Sequence, residues 1–158
     1  MRSTDQTMNL FEEFFKIAQV FEQSGIQYAV IGGVALAFHD QPRLTRDIDL
    51  LISPEDFEGV KSALESLGYF ESAKPWTFRN TSLTLHRFMK TEGEDHLLVD
   101  ILFGREDRYQ EITRNAHVEN SEFGPVRVAT RGDIIQLKKM RSSQQDQVDI
   151  RRLQNDPD

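Results

Sequence analysis

Cysteine is absent from the 158 residues of the chain. A chain without thiols forms no disulfide framework and no thiolate metal site, so a reducing compartment suits it. The sequence also lacks an apolar run of about 18 residues and a basic-then-apolar leader. These absences predict a cytoplasmic protein without a membrane-spanning segment.

Positive charge is scarce as well, because 19 Lys and Arg stand against 26 Asp and Glu, which gives a net charge of −7. Nucleic-acid binders gain much of their affinity by neutralising phosphates with basic residues. The charge balance therefore argues against a long nucleic acid as partner, although a local basic cluster could still hold a nucleotide. Apolar residues make up 38% and charged residues 28%, which is ordinary for a globular protein.

The hydrophobic pattern predicts helices that alternate with strands. Helices are expected over 8–24, 34–40, 54–67, 105–115, 131–140 and 144–153, and strands over 28–33, 47–52, 82–90, 96–104 and 126–129. Gly25 and Gly68 follow where the first and third helices end, and the polar turn TEGED joins 82–90 to 96–104 as a hairpin. This order predicts one domain over residues 1–158, of the α/β (α+β) class, with helices flanking a mixed sheet. Its core would cover about 8–129, and short C-terminal helices would cover about 130–154.

The segment LTRDIDLLIS, residues 44–53, places Asp47 and Asp49 at alternate positions of an otherwise apolar strand. Residues i and i+2 share a face, so the two carboxylates point the same way while Ile48 and Leu50 point to the core. Unit charges a few ångströms apart interact by roughly 4 kcal/mol at an effective dielectric of about 20. A divalent cation such as Mg²⁺ would relieve this repulsion. The alternative is that both aspartates simply face solvent.

A third carboxylate, Asp100, interrupts the apolar strand VDIL. A lone acidic residue is costly to bury without a partner. If this strand neighbours the first acidic strand, three carboxylates converge and could hold two Mg²⁺ ions roughly 3.5–4 Å apart. Glu94 and Asp95, in the preceding turn, are weaker candidates for the third position.

These motifs resemble those of the DNA polymerase β-like nucleotidyltransferase superfamily over roughly residues 28–104. The resemblance rests on the strand ending in IGG (31–33), the helix VALAFH, the run RLTRDIDLLI and the acidic strand VDILF. It implies a metal-dependent enzyme that moves a nucleoside monophosphate from a nucleoside triphosphate (NTP) to a hydroxyl group. Two Mg²⁺ ions and the NTP are the implied cofactors, and the catalytic metal ligands would be Asp47, Asp49 and Asp100.

The same resemblance implies a phosphate site at Gly32 and Gly33. Both glycines can take positive φ and lack a Cβ, so a phosphate could approach the backbone N–H groups of the next helix. A plain tight turn is the alternative. Many members of the superfamily carry a serine at the second position, and Gly33 removes that hydroxyl contact. Thr45 and Arg46 precede the acidic strand, and Arg46 could bind a triphosphate oxygen or pair with an aspartate.

The C-terminal segment 133–153 resembles the helical end of a branch that includes abortive-infection toxins. On that resemblance, Lys138 would neutralise triphosphate charge with Arg141 nearby, and Asp146 and Asp149 would order the lysine or contact the nucleotide. Solvated helix charges are the alternative. Core packing is the default expectation for Trp76, with base stacking as the alternative.

The acceptor is open on this reading and could be a small molecule, a protein or an RNA end. Because little chain follows Asp100, the enzyme could dimerise or depend on an antitoxin-like partner protein. The main alternative function is a catalytically degenerate module that binds nucleotides or partners with the same fold. A metal-dependent phosphohydrolase is a third alternative.

Overall fold

A computed structural model describes residues 8–32, 47–121 and 124–141 of the chain. The helices predicted over 34–40 and 144–153 lie outside these residues. The same is true of five predicted site residues, namely Gly33, Thr45, Arg46, Asp146 and Asp149.

The helices of the described chain are α1 (Leu10–Gln23), α2 (Phe57–Ser66), α3 (Asp107–Asn115) and α4 (Arg131–Arg141). The strands are β1 (Tyr28–Val30), β2 (Asp47–Ile52), β3 (Phe70–Glu71), β4 (Trp76–Thr77), β5 (Thr84–Glu92), β6 (Asp95–Phe103), β7 (His117–Ser121) and β8 (Gly124–Val128). They form one sheet in the order β3-β5-β6-β2-β1-β8-β7, with β4 also paired to β5. The pairs β2–β6 and β1–β8 are parallel and the others antiparallel. This mixed sheet with flanking helices confirms the predicted class.

Helix α1 follows its predicted boundaries closely. Its N-cap is Asn9, whose side chain accepts a hydrogen bond from the backbone N–H of Glu12 at 3.0 Å. Past its end, Gly25 takes a φ of 70°, a left-handed conformation that glycine adopts without strain. None of the described helices is long and apolar enough to cross a membrane.

Helix α2 begins later than the sequence predicts. Residues Pro54–Asp56 form a 3₁₀ turn, and Ser53 makes no side-chain cap hydrogen bond to it. Proline suits this turn because its φ is already set and a first-turn N–H has no partner to lose. The predicted end at Gly68 is confirmed, since Gly68 has a φ of 95° and the N–H of Tyr69 bonds to the carbonyl of Leu64 at 2.9 Å.

The predicted hairpin between the two long strands is present as β5 and β6. Glu92 pairs with Asp95 across a two-residue turn in which Gly93 has a φ of 59°. Strand β7 was not predicted, because its sequence HVENS is mostly polar and its pairing with β8 is its only strand contact in the described sheet. The core-packing expectation for Trp76 was wrong, since this residue lies on the short strand β4 and is 40% exposed.

Helices α1 and α2 cover one face of the sheet. The ring of Phe57 in α2 lies 4.3 Å from the ring of His86 and 5.4 Å from that of Phe103. These strand residues share their face with Ile48 and Leu50, which are both fully buried. The acidic residues of β2 and β6 therefore belong to the opposite face of the sheet.

Candidate active site

The two acidic strands are direct neighbours in the sheet. β2 and β6 run parallel, and the Cα partner of Asp49 is Asp100, while that of Asp47 is Leu98. Because paired residues of adjacent strands point to the same face, all three aspartates share one face. The predicted adjacency of the two strands and the predicted alternation along β2 are thus both confirmed in position.

The three carboxylates differ in exposure. Asp47 and Asp49 are half-buried, and the Oδ1 atom of Asp49 is shielded from solvent. Asp100 is only 4% exposed, although apolar residues flank it along β6. A carboxylate this deep needs a strong partner to remain charged.

Gly32 lies directly against Asp49. A Cβ added to Gly32 would lie 2.7 Å from Cγ and 2.8 Å from Cβ of Asp49, which is closer than real side chains approach. The backbone N–H of Ile31 bonds to the carbonyl of Asp49 at 3.0 Å and holds the two segments together. The φ of Gly32 is not in the left-handed region, so this position does not use the positive φ that glycine can take. Glycine is required there because the Asp49 side chain fills the space of a Cβ.

Arg87 is a residue of this candidate site that sequence reasoning missed. It stands opposite Asp100 on β5, and its guanidinium donates two hydrogen bonds, from Nε to Oδ1 at 2.8 Å and from Nη2 to Oδ2 at 2.9 Å. This bidentate contact raises the pKa of Arg87 above its ordinary value, and the charges of Asp47 and Asp49 contribute in the same direction. The hairpin contained the signal, because counting back from the Glu92–Asp95 pair leads to Arg87 opposite Asp100.

The arginine also contacts an aromatic ring. The Cζ atom of Arg87 lies 5.5 Å from the centroid of the Trp76 ring, a cation–π distance. The Arg87 side chain remains 32% exposed. The guanidinium is thus held by Asp100 on one side and by an exposed indole on the other, with access to solvent.

The donor set suits Mg²⁺, because three carboxylates on one face offer the oxygen ligands that this ion prefers. Within residues 8–32, 47–121 and 124–141, however, no three acidic or histidine side chains are close enough together to hold one metal ion. Both oxygens of Asp100 are turned toward the guanidinium of Arg87. The residues predicted as ligands are brought to one face but not into one coordination sphere.

The C-terminal group is described only in part. Lys138 lies on α4 and is 2% exposed, so its interpretation as a solvated helix charge was wrong. The neighbouring Lys139 is exposed. A buried ammonium requires compensating polar contacts. Arg141 ends α4, and its side chain lies outside the described atoms.

A family model described as "Uncharacterised nucleotidyltransferase" matches residues 2–123, a stretch that includes Gly32, Arg87 and the three aspartates but not α4. No curated protein matches the chain at a significant level.

Several solved structures share the fold. A nucleotidyltransferase-fold protein from Thermotoga maritima superposes with a TM-score of 0.63 at 13% identity, over 97% of this chain and 99% of the other. The lincosamide antibiotic adenylyltransferase LnuA, bound to lincomycin, gives 0.59 at 15% identity, over 96% and 99%. The protein ANT(2")-Ia, in complex with adenylyl-2"-tobramycin, gives 0.54 at 16% identity, over 90% and 85%. At these identities the similarity establishes the fold.

Proposed function

The chain belongs to the family of uncharacterised nucleotidyltransferases, and from this membership we propose that it transfers a nucleoside monophosphate from an NTP to a hydroxyl group of an acceptor. Pyrophosphate is the second product. The observation that carries the proposal is the pairing of Asp49 with Asp100 in adjacent parallel strands, with Gly32 leaving room for the Asp49 side chain.

Asp47 and Asp49 would hold Mg²⁺, and Asp100 would complete the ligand set once its oxygens leave Arg87. Bound Mg²⁺ supplies positive charge that stabilises the α-phosphoryl group and the departing pyrophosphate in the transition state. Asp100 would also orient the attacking hydroxyl and accept its proton. Its burial supports this task, because a shielded carboxylate is less hydrated and holds a fixed position.

The triphosphate would lie near the backbone of Gly32 and Gly33, with Thr45 and Arg46 on the approach to β2. Lys138 and Arg141 would neutralise part of its charge, and Asp146 and Asp149 would order the lysine or contact the nucleotide. The burial of Lys138 supports its place in this group, since an enclosed cation attracts phosphate more strongly than a hydrated one.

The acceptor would be a small molecule or a protein rather than a long nucleic acid, because the net charge is −7. An RNA end held by a local basic patch is a further candidate. One structural neighbour is a lincosamide antibiotic adenylyltransferase and another is in complex with adenylyl-2"-tobramycin, which supports testing small hydroxylated compounds first. The proposal also places the protein in the cytoplasm as a single domain. It includes a homodimer or, for a toxin role, an antitoxin-like partner protein.

The substitution Asp49→Asn tests the activity directly. We expect transfer of labelled nucleotide and release of pyrophosphate to fall by at least about 10²-fold, because a metal-holding charge is lost while the side-chain shape is kept. Asp107→Asn is the matched control, since Asp107 is exposed in the first turn of α3. Unchanged transfer by a folded Asp49→Asn protein would refute the proposal.

One observation favours a second candidate function. The engagement of Asp100 by Arg87 is what a nucleotide-binding module without catalysis would also show. Calorimetry with each NTP and Mg²⁺, followed by a pyrophosphate assay over a broad acceptor panel, distinguishes the two. Binding without release would favour the module, whereas release that depends on Asp49 favours the enzyme.

A further inference from the structure

Arg87 occupies the position at which a cation is needed. It lies on the face that carries the three aspartates, and all three attract its guanidinium. Three carboxylates without a nearby positive charge would repel one another in a partly buried environment. Arg87 therefore supplies counter-charge to this face in the absence of a metal ion.

The Arg87 guanidinium competes with a metal ion for the carboxylate of Asp100. The guanidinium takes both oxygens of Asp100, at 2.8 and 2.9 Å. A carboxylate that accepts a bidentate fork gives its better-placed lone pairs to the arginine, and only the less basic ones remain for a metal ion. Metal binding at Asp100 and the Arg87 contact therefore compete with each other.

The surroundings of Arg87 allow it to turn. Its side chain is 32% exposed, unlike the 5% exposed side chain of Asp100. The Trp76 ring, 5.5 Å from Cζ, lies on a two-residue strand and is itself 40% exposed. An arginine that leaves the carboxylate could keep contact with the indole and direct its N–H groups toward an anion, such as a phosphate.

We propose that Arg87 is a positioning residue that clamps Asp100 in the nucleotide-free protein and competes with divalent metal for this carboxylate. The triphosphate of an entering NTP then draws Arg87 away, so that metal and nucleotide bind together rather than separately. This inference rests on the proposed function and adds to it a coupling between the two ligands. It explains how three carboxylates can share a face without forming a metal site in the absence of nucleotide.

The test measures binding of Mn²⁺ without nucleotide, by the loss of the paramagnetic resonance signal of free Mn²⁺. We expect Arg87→Met to lower the Kd for Mn²⁺ by about tenfold, which corresponds to about 1.4 kcal/mol. Arg127→Met is the matched control, because Arg127 on β8 forms a 3.0 Å pair with Glu22 of α1, and two strands separate β8 from β6. It makes the same change in net charge and should leave the Kd within about twofold of the wild type.

Two further variants separate the clamp from a simple charge effect. Arg87→Lys keeps the charge but lacks the planar fork, so its Kd should lie between those of the wild type and Arg87→Met. Adding Asp100→Asn to Arg87→Met should remove the gain. If the gain persists in the double variant, or if Arg87→Met binds Mn²⁺ no more tightly than the wild type, the inference is overturned. Should Arg87→Met fail to fold, the Arg87→Lys comparison decides by the same criterion.

Coupling to nucleotide gives an independent readout. A non-hydrolysable NTP analogue should tighten Mn²⁺ binding in the wild type by about tenfold or more and in Arg87→Met by much less, since the clamp is already absent. The wild type and Arg87→Met could bind Mn²⁺ with equal affinity while the wild type still transfers nucleotide. That result would overturn the role of Arg87 and leave the proposed function intact. Tighter Mn²⁺ binding by Arg87→Met together with no transfer over the acceptor panel would support the clamp and count against the proposed activity.

Discussion

Replacing Gly32 by alanine tests the packing on which the site depends. The new Cβ would lie 2.7 Å from Cγ and 2.8 Å from Cβ of Asp49. A rotation of the Asp49 side chain cannot relieve the second contact, because the position of Cβ is set by the backbone of β2. That backbone is itself held by β1 on one side and β6 on the other. The strain must therefore move a strand or displace Gly32.

The expected cost follows from this geometry. Overpacking by one methyl group in a closely packed region typically costs about 1–3 kcal/mol. We expect Gly32→Ala to lower the free energy of unfolding by that amount, or the Tm by roughly 2–4 °C for each kcal/mol in a protein of this size. A shift of Asp49 by even a fraction of an ångström should also reduce nucleotide transfer, by up to about 10²-fold.

Gly59→Ala provides the control, with an effect of opposite sign. Gly59 is an exposed residue of α2, and a Cβ there would lie 3.9 Å from Cδ1 of Ile26, an ordinary contact. Alanine in a helix should stabilise the protein by about 0.5–1 kcal/mol relative to glycine. Urea denaturation of the three proteins measures both effects. Equal stability of Gly32→Ala and the wild type, with Gly59→Ala stabilised as expected, would refute the close approach of Gly32 to Asp49.

Two further predictions concern buried charged groups. Burial alone would raise the pKa of Glu13, but hydrogen bonds from Tyr69 at 2.8 Å and Lys90 at 3.1 Å outweigh it and hold the pKa below its ordinary value of 4.5. Glu13 therefore contributes stability above pH 4.5 that is lost as the pH falls through its folded-state pKa. Glu13→Gln should lower the free energy of unfolding by about 1–3 kcal/mol at pH 7. Urea denaturation at several pH values should also show a weaker loss of stability in acid for this variant. Lys138→Met should raise the Kd for NTP, measured by calorimetry, by about tenfold, which corresponds to about 1.4 kcal/mol. Its Tm should stay that of the wild type. Lys139→Met, at an exposed position, should leave the Kd for NTP unchanged. Equal affinity of the two variants for NTP would contradict the role of Lys138.

Much of the local structure can be predicted from the sequence. The alternation of Asp47 and Asp49 with Ile48 and Leu50 follows from the two-residue period of a strand, and it is observed. Gly25 and Gly68 end their helices as predicted, because glycine accepts positive φ at no steric cost.

Predictions failed where a segment depends on distant partners. The polar strand β7 forms because β8 offers it backbone hydrogen bonds. Trp76 is exposed because it lies on the short strand β4, which pairs with β5. Propensity describes a residue and its chain neighbours, whereas strand pairing depends on residues far along the chain.

The same distinction between local and tertiary properties applies to the candidate site. By itself the sequence determined which acidic residues share a strand face, which segments form a hairpin and which helices end at glycine, because these properties arise from backbone geometry over a few residues. Only the tertiary structure decided that Asp100 lies beside Asp49, that Arg87 engages both of its oxygens, and that Gly32 must lack a Cβ. Those relations depend on which strands become neighbours and on how closely their side chains pack, and both are properties of the whole folded chain.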